Sequence, residues 1–134
     1  MNSIVNEQLQ DYLRQLSKSN DETILELEEF AKNNHIPIVE AEVRQLLKMI
    51  LLMEQPKTIL EIGTAIGYSS IIMKKTCPDA KITTVENYEK NANFARENFE
   101  KYGYDDIELI FGDGYEVMKN MDTKFDLIFI DAAK

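Results

Sequence analysis

Residues Thr58-Ile-Leu-Glu-Ile-Gly-Thr-Ala-Ile-Gly-Tyr-Ser-Ser70 constrain this chain more than any other stretch. The apolar run Thr58 to Ile62 is too short for a helix and is stopped by glycine, the pattern of a central strand in a parallel sheet. Gly63 and Gly67 lack Cβ atoms, so the backbone can turn sharply there and a ligand can come close. A helix then starts near Tyr68. Ser69 and Ser70 fall in its first turn, where unpaired N–H groups favour an anionic group such as a carboxylate or phosphate.

The glycine spacing narrows the choice of ligand. A dinucleotide fingerprint, G-x-G-x-x-G, fails because Ala65 and Tyr68 stand where its second and third glycines belong. A Walker loop would need Gly-Lys-Ser/Thr, and none follows. The motif present is Glu61-x-Gly63-x-x-x-Gly67, which resembles the first motif of class I S-adenosylmethionine-dependent methyltransferases.

The chain before this stretch reads as helices. Ile4, Val5, Leu9, Tyr12, Leu13 and Leu16 recur at helical spacing within Ser3 to Ser17. Asn20 or Asp21 caps a second helix with Ile24, Leu25, Leu27 and Phe30 inward, ended by Asn33-Asn34-His35. Val39 to Met53 forms a third, with Val43, Leu46, Leu47, Ile50 and Leu51 inward, closed by Pro56. Residues 1–56 are therefore expected to form a helical layer, and 57–134 the first part of an α/β cofactor-binding domain. His35, the only histidine, is read as structural, and Met49, Met53, Met73 and Met118 as core filler.

Beyond the glycine loop, Tyr68 to Lys75 predicts a helix and Lys81 to Val85 a strand that ends at Glu86. Glu86 lies 23 residues beyond Gly63, the βαβ spacing at which a carboxylate reaches the hydroxyl pair of a ribose. Tyr88 to Tyr102 predicts a helix terminated by Gly103, and Ile107 to Phe111 a third strand. Gly112-Asp113-Gly114 follows at that strand's ligand-binding end, where Asp113 is placed to accept a hydrogen bond from an adenine amino group. Val117 to Met121 is a short helix, and Phe125 to Ile130 a fourth, very apolar strand ending at Asp131.

Composition limits the classes of partner. The formal net charge of −9 argues against a broad nucleic-acid footprint, which needs clustered Lys and Arg. No apolar run approaches a membrane span, the start lacks a secretory pattern, and the single cysteine, Cys77, cannot form an internal disulfide. A cytoplasmic setting is expected.

Four segments together resemble the catechol and caffeoyl-CoA O-methyltransferase group within class I: Glu61 to Ser69, Val85-Glu86, Gly112-Asp113-Gly114 and Phe129-Ile-Asp-Ala-Ala-Lys134. The last is the most discriminating, since Asp-x-x-Lys is similar to the metal-dependent members. At a finer level the chain resembles bacterial tRNA 5-hydroxyuridine methyltransferases. The resemblance implies a Rossmann-like parallel sheet and S-adenosylmethionine as cofactor. It implies that Val39, Gly63, Tyr68 and Ser69 surround the methionine end, with Glu61 close beneath. Glu86 holds the ribose, and Asp113 with Gly114 faces the adenine. Asp131 borders the cofactor and binds a divalent metal, normally Mg²⁺, and Lys134 is the general base. The acceptor is expected to be tRNA or a small catechol-like phenol.

The family sheet has seven strands and this sequence offers four, so the chain is expected to be an N-terminal portion, weak or inactive alone. Its fourth strand would then be an exposed apolar edge, which predicts a homodimer or higher self-association. A non-catalytic half-domain that only binds cofactor or dimerises is the alternative.

Overall fold

The computed structural model describes residue 4 and residues 6–132. Three helices come first: α1 (Glu7–Leu16), α2 (Glu22–Asn33) and α3 (Ala41–Glu54). Strands and helices then alternate as β1 (Thr58–Ile62), α4 (Tyr68–Thr76), β2 (Lys81–Glu86), α5 (Glu89–Tyr102), β3 (Glu108–Phe111), α6 (Gly114–Lys119) and β4 (Leu127–Ile130). All strands run parallel in the order β3-β2-β1-β4. Alternating βα units cannot close by hairpins, so each strand returns through a helix and the sheet is parallel.

Local chemistry sets the element ends. Asn6 caps α1 by accepting from the N–H of Gln8 at 2.8 Å, and Asp21 caps α2 by accepting from that of Ile24 at 3.2 Å. After α2, His35 adopts a left-handed φ of 54° and the Ile36 N–H returns to the Ala31 carbonyl at 2.9 Å. His35 thus closes a helix, as the sequence suggests.

The two faces of the sheet differ. One carries Ile59 and Ile82, which pack with Leu27, Leu47, Leu51, Ile71, Met73 and Phe99 into the main core. Helices α2 and α3 share that core with the sheet and with α4 and α5. The other face carries Leu60, Ile62 and Val85, which meet Val117, Met118 and Phe125 from the α6 region.

Three expectations need correction. The inward stripe of α3 is Arg44, Leu47 and Leu51, while Val43, Leu46 and Ile50 are exposed. The helix is apolar on more than one side, and the side that packs includes an arginine with buried partners. Leu25 is exposed on α2, and no residue of α1 is buried. Met49 and Met53 are exposed rather than core filler, whereas Met73 is fully buried.

Candidate functional site

A cavity of about 840 Å³ opens where β1, β2 and β4 end. Its walls include Val39 from the segment before α3, Gly63 to Ala65 and Tyr68-Ser69 from the first βα turn, Glu86 after β2, Gly114 opening α6, and Asp131 after β4. This is where open parallel sheets place ligands, because strand ends and helix N-termini converge there.

The turn between β1 and α4 is held in an unusual shape. Gly63, Ala65 and Gly67 all have left-handed φ values, of 101°, 48° and 87°. A side chain on Gly63 would start 2.2 Å from the Asp131 carbonyl oxygen, and one on Gly67 would start 2.6 Å from the Phe99 ring. Glycine is required at both by close approach as well as by φ. The N–H groups of Gly63 and Thr64 donate to the Val85 carbonyl at 2.8 and 3.3 Å. The Asn98 side-chain amide donates to the Ile66 carbonyl at 2.9 Å.

Glu86 organises the next wall. One carboxylate oxygen accepts from the Ala65 N–H at 2.7 Å, and the other accepts from the N–H groups of Asn87 and Tyr88, each at 3.0 Å. The carboxylate is thereby fixed on the cavity wall, with acceptor capacity left for incoming hydroxyl donors.

Glu61 is fully buried beneath the turn. The Thr84 hydroxyl donates to it at 2.7 Å, and the hydroxyls of Ser69 and Ser70 donate to it as well. Thr64 and Thr84 share a further hydrogen bond of 2.6 Å. Because Thr84 donates to the carboxyl, Thr64 donates to Thr84, so the hydroxyls form a directed chain. Burial pushes the Glu61 carboxyl up to about 7, against the three hydroxyl donors, and the nearby Asp131 charge adds to the rise.

The expected residues fall in different places. Val39, Gly63, Tyr68, Ser69, Glu86, Gly114 and Asp131 all border the cavity. The Ser69 hydroxyl is already committed to Glu61, so it is the first turn of α4, through its N–H groups, that offers an anion a place. The Tyr68 hydroxyl turns the other way, donating to Glu28 at 2.6 Å and accepting from Arg44 at 2.9 Å. Asp113 stands apart from these residues. It is exposed and absent from the cavity wall, and its carboxylate caps α6 by accepting from the Glu116 N–H at 3.0 Å. An Asp-Gly pair between a strand and a helix is an N-cap signal before it is a ligand signal. Gly114 beside it is needed for packing, since a Cβ there would lie 2.6 Å from Ile62. Lys134 lies outside the described residues.

Sequence reasoning missed Ser69, Ser70 and Thr84 as hydrogen-bond partners of Glu61, and Thr64 as the partner of Thr84. Thr84 lies opposite Glu61 in the β1–β2 register, on one face of the sheet, a pairing that no local stretch of the sequence contains. Asn98 and Arg44 carried no signal, because each is a polar residue buried on a helix.

A sequence profile of the O-methyltransferase family matches residues 14–134. The chain belongs to that family. A catechol O-methyltransferase of Niastella koreensis is 28% identical over 142 residues, covering 100% of this chain and 64% of its own. A candidate caffeoyl-CoA O-methyltransferase from Staphylococcus aureus has 38% identity and a TM-score of 0.80, covering 96% of this chain and 61% of its own. An O-methyltransferase of Bacillus cereus, solved in complex with SAH, has 28% identity and a TM-score of 0.79, covering 93% and 60%. Within class I the chain falls in the catechol/caffeoyl-CoA-like group, and its sheet is the Rossmann-like methyltransferase sheet. It spans 33% to 64% of the length of the curated relatives it matches. Among the described residues no helix is long and apolar enough to cross a membrane.

Proposed function

We infer that this chain carries the cofactor side of an S-adenosylmethionine-dependent O-methyl transfer. The observation that supports this most is the meeting of the Gly63–Gly67 turn, the α4 N-terminus and the fixed Glu86 carboxylate around one cavity. The donor set fits the cofactor. The α4 first turn offers N–H groups to its carboxylate, beside Val39, Gly63, Tyr68 and Ser69. Glu86 offers acceptors to its ribose, and Gly114, with Asp113 beside it in the chain, is proposed to face the adenine. Glu61 underlies the turn, and Asp131 faces the place where the acceptor would enter.

When bound, the cofactor supplies a methyl group on a positively charged sulfur. That methyl would be transferred to an acceptor oxygen, with the sulfur left as a neutral thioether and the oxygen's proton taken by a base of the site. The chain's residues hold and align the donor, which is where much of the rate of such a transfer arises. Lys134 is proposed as the base, by resemblance.

Magnesium is a separate matter. No group of three or more His, Cys, Asp or Glu that could hold a metal occurs among the described residues. Asp131 alone does not meet the six or more oxygen ligands a hard cation takes, so no step is assigned to a metal here. For the acceptor we propose a ring hydroxyl flanked by a second oxygen. The resemblance to bacterial tRNA 5-hydroxyuridine methyltransferases supports 5-hydroxyuridine in tRNA as the acceptor, over the small catechol-like phenol toward which the charge of −9 leans. A cytoplasmic setting and self-association through β4 complete the reading.

The test is calorimetric titration with S-adenosylmethionine. The chain is expected to bind, and Glu86→Ala to weaken binding at least tenfold, with Glu86→Gln intermediate because one acceptor remains. Wild-type binding unchanged in both variants would remove the ribose assignment.

A further inference from the structure

The cofactor turn is anchored from three sides. The sheet holds it through the Val85 carbonyl and Glu86, and α5 holds it through Asn98. On the third side, toward the helical layer, Tyr68 reaches with its hydroxyl into a polar cluster built on the buried Arg44 and the half-buried Glu28. Arg44 of α3 is only 3% exposed and donates to the Glu28 carboxylate, to the Tyr68 hydroxyl and to the Ser17 carbonyl that follows α1. Tyr68 also donates to Glu28. One guanidinium thus ties the ends and faces of α1, α2 and α3 to the first residue of α4.

Nothing about a stable core requires this. Burying the Arg44 guanidinium and the Tyr68 hydroxyl carries a desolvation cost that the half-buried Glu28 only partly offsets, and apolar residues of similar size often replace such groups without loss of stability. What directional bonds supply, and apolar packing does not, is a fixed position for the groups they join. The group joined here is the residue at which the left-handed turn becomes a helix, on the wall of the cavity.

We propose that Arg44 and Glu28 are positioning residues for the cofactor site, acting through the Tyr68 hydroxyl. They hold the α4 N-terminus in the orientation that receives the cofactor's carboxylate. This rests on the cofactor reading above and extends it: the helical layer tunes affinity without touching the ligand. A lysine at position 44 would keep the charge but not the fork that reaches three acceptors.

The experiment measures both thermal stability and the dissociation constant for S-adenosylhomocysteine in wild type, Tyr68→Phe, Arg44→Lys and Lys75→Met. Lys75→Met is the control. It removes the 3.0 Å ion pair between Lys75 at the end of α4 and Asp21 at the start of α2, which joins the same layers away from the turn. Tyr68→Phe and Arg44→Lys are expected to weaken binding by about tenfold. Lys75→Met is expected to stay within about twofold of wild type, whatever its loss in melting temperature. Combining Tyr68→Phe with Glu28→Gln should cost less than the two separate losses added, because both act on one network. Affinities that follow melting temperature across all variants, or a Tyr68→Phe variant that binds like wild type, would overturn the positioning role while leaving the cofactor reading intact. A wild-type chain that binds no cofactor at all would overturn both.

Discussion

β1 reads Thr-Ile-Leu-Glu-Ile and β4 reads Leu-Ile-Phe-Ile, and the two pair in register from Ile59–Leu127 to Ile62–Ile130. They are neighbours in one sheet, similarly apolar, yet their surroundings are opposite. In β1 every residue after Thr58 is buried, the charged Glu61 included. In β4, Ile128 is 53% exposed and Ile130 63% exposed, while Leu127 and Phe129 pack inward. The exposed pair lies beside Leu60 and Ile62, on the face that α6 covers only farther along the sheet. Apolar content alone therefore does not place a strand. What stacks on each face does: β4 is left half-solvated on one face, while β1 is covered on both and is dry enough to raise the pKa of a carboxyl.

The largest expected effect tests the dry side. Ile59 is fully buried in the main core. Ile59→Ala should lower unfolding free energy by about 2–5 kcal/mol, the range for deleting a buried Ile side chain and leaving a cavity. Chemical denaturation would check it. A loss near zero would mean that the core around β1 collapses freely, which a strand packed on both faces does not allow.

Glu61 gives the second test, through pH. Its folded pKa of about 7 stands above its ordinary value of 4.5. Between those values the folded state binds more protons than the unfolded one, so this residue's contribution is full below about pH 4.5 and is lost as pH rises through 7. The loss amounts to about 3 kcal/mol at 1.36 kcal/mol per unit. Glu61→Gln removes the titrating group while keeping an oxygen for the hydroxyls of Ser69, Ser70 and Thr84. The difference in stability between wild type and variant should therefore change by roughly that amount from pH 4.5 to 8. A difference independent of pH would show that the hydroxyl donors hold Glu61 ionised throughout.

Much of this arrangement was legible in the sequence. The Thr58–Ile62 strand, the glycine turn and Glu86 at the end of β2 all follow from short-range rules: an apolar run, a stop, and a fixed spacing to an acid. Three features were not legible, each for a physical reason. The packed side of α3 hides behind Arg44, because a stripe of Arg44, Leu47 and Leu51 reads as less apolar than the exposed Val43, Leu46 and Ile50. Asp113 serves as a cap because a strand-to-helix turn needs one before it needs a ligand. The hydroxyl chain on Glu61 depends on register between β1 and β2, which no local window contains.

The smallest effect on folding, and the sharpest test of the wet side, comes from β4. Ile130→Thr should change unfolding free energy by no more than about 0.5 kcal/mol, since the side chain is mostly solvated and threonine keeps the β-branch that strands favour. Its consequence lies in association instead. Among the described residues the outer edge of β4 pairs with no strand, and an apolar unpaired edge is a template for another chain. Light scattering over a concentration series should show wild type associating, and the double change Ile128→Lys and Ile130→Lys remaining monomeric, because charge on a strand's exposed face blocks edge pairing. If wild type stays monomeric at high concentration, the β4 edge is not a contact surface for this chain. The exposure of Ile128 and Ile130 would then mark only where the packing of the sheet stops.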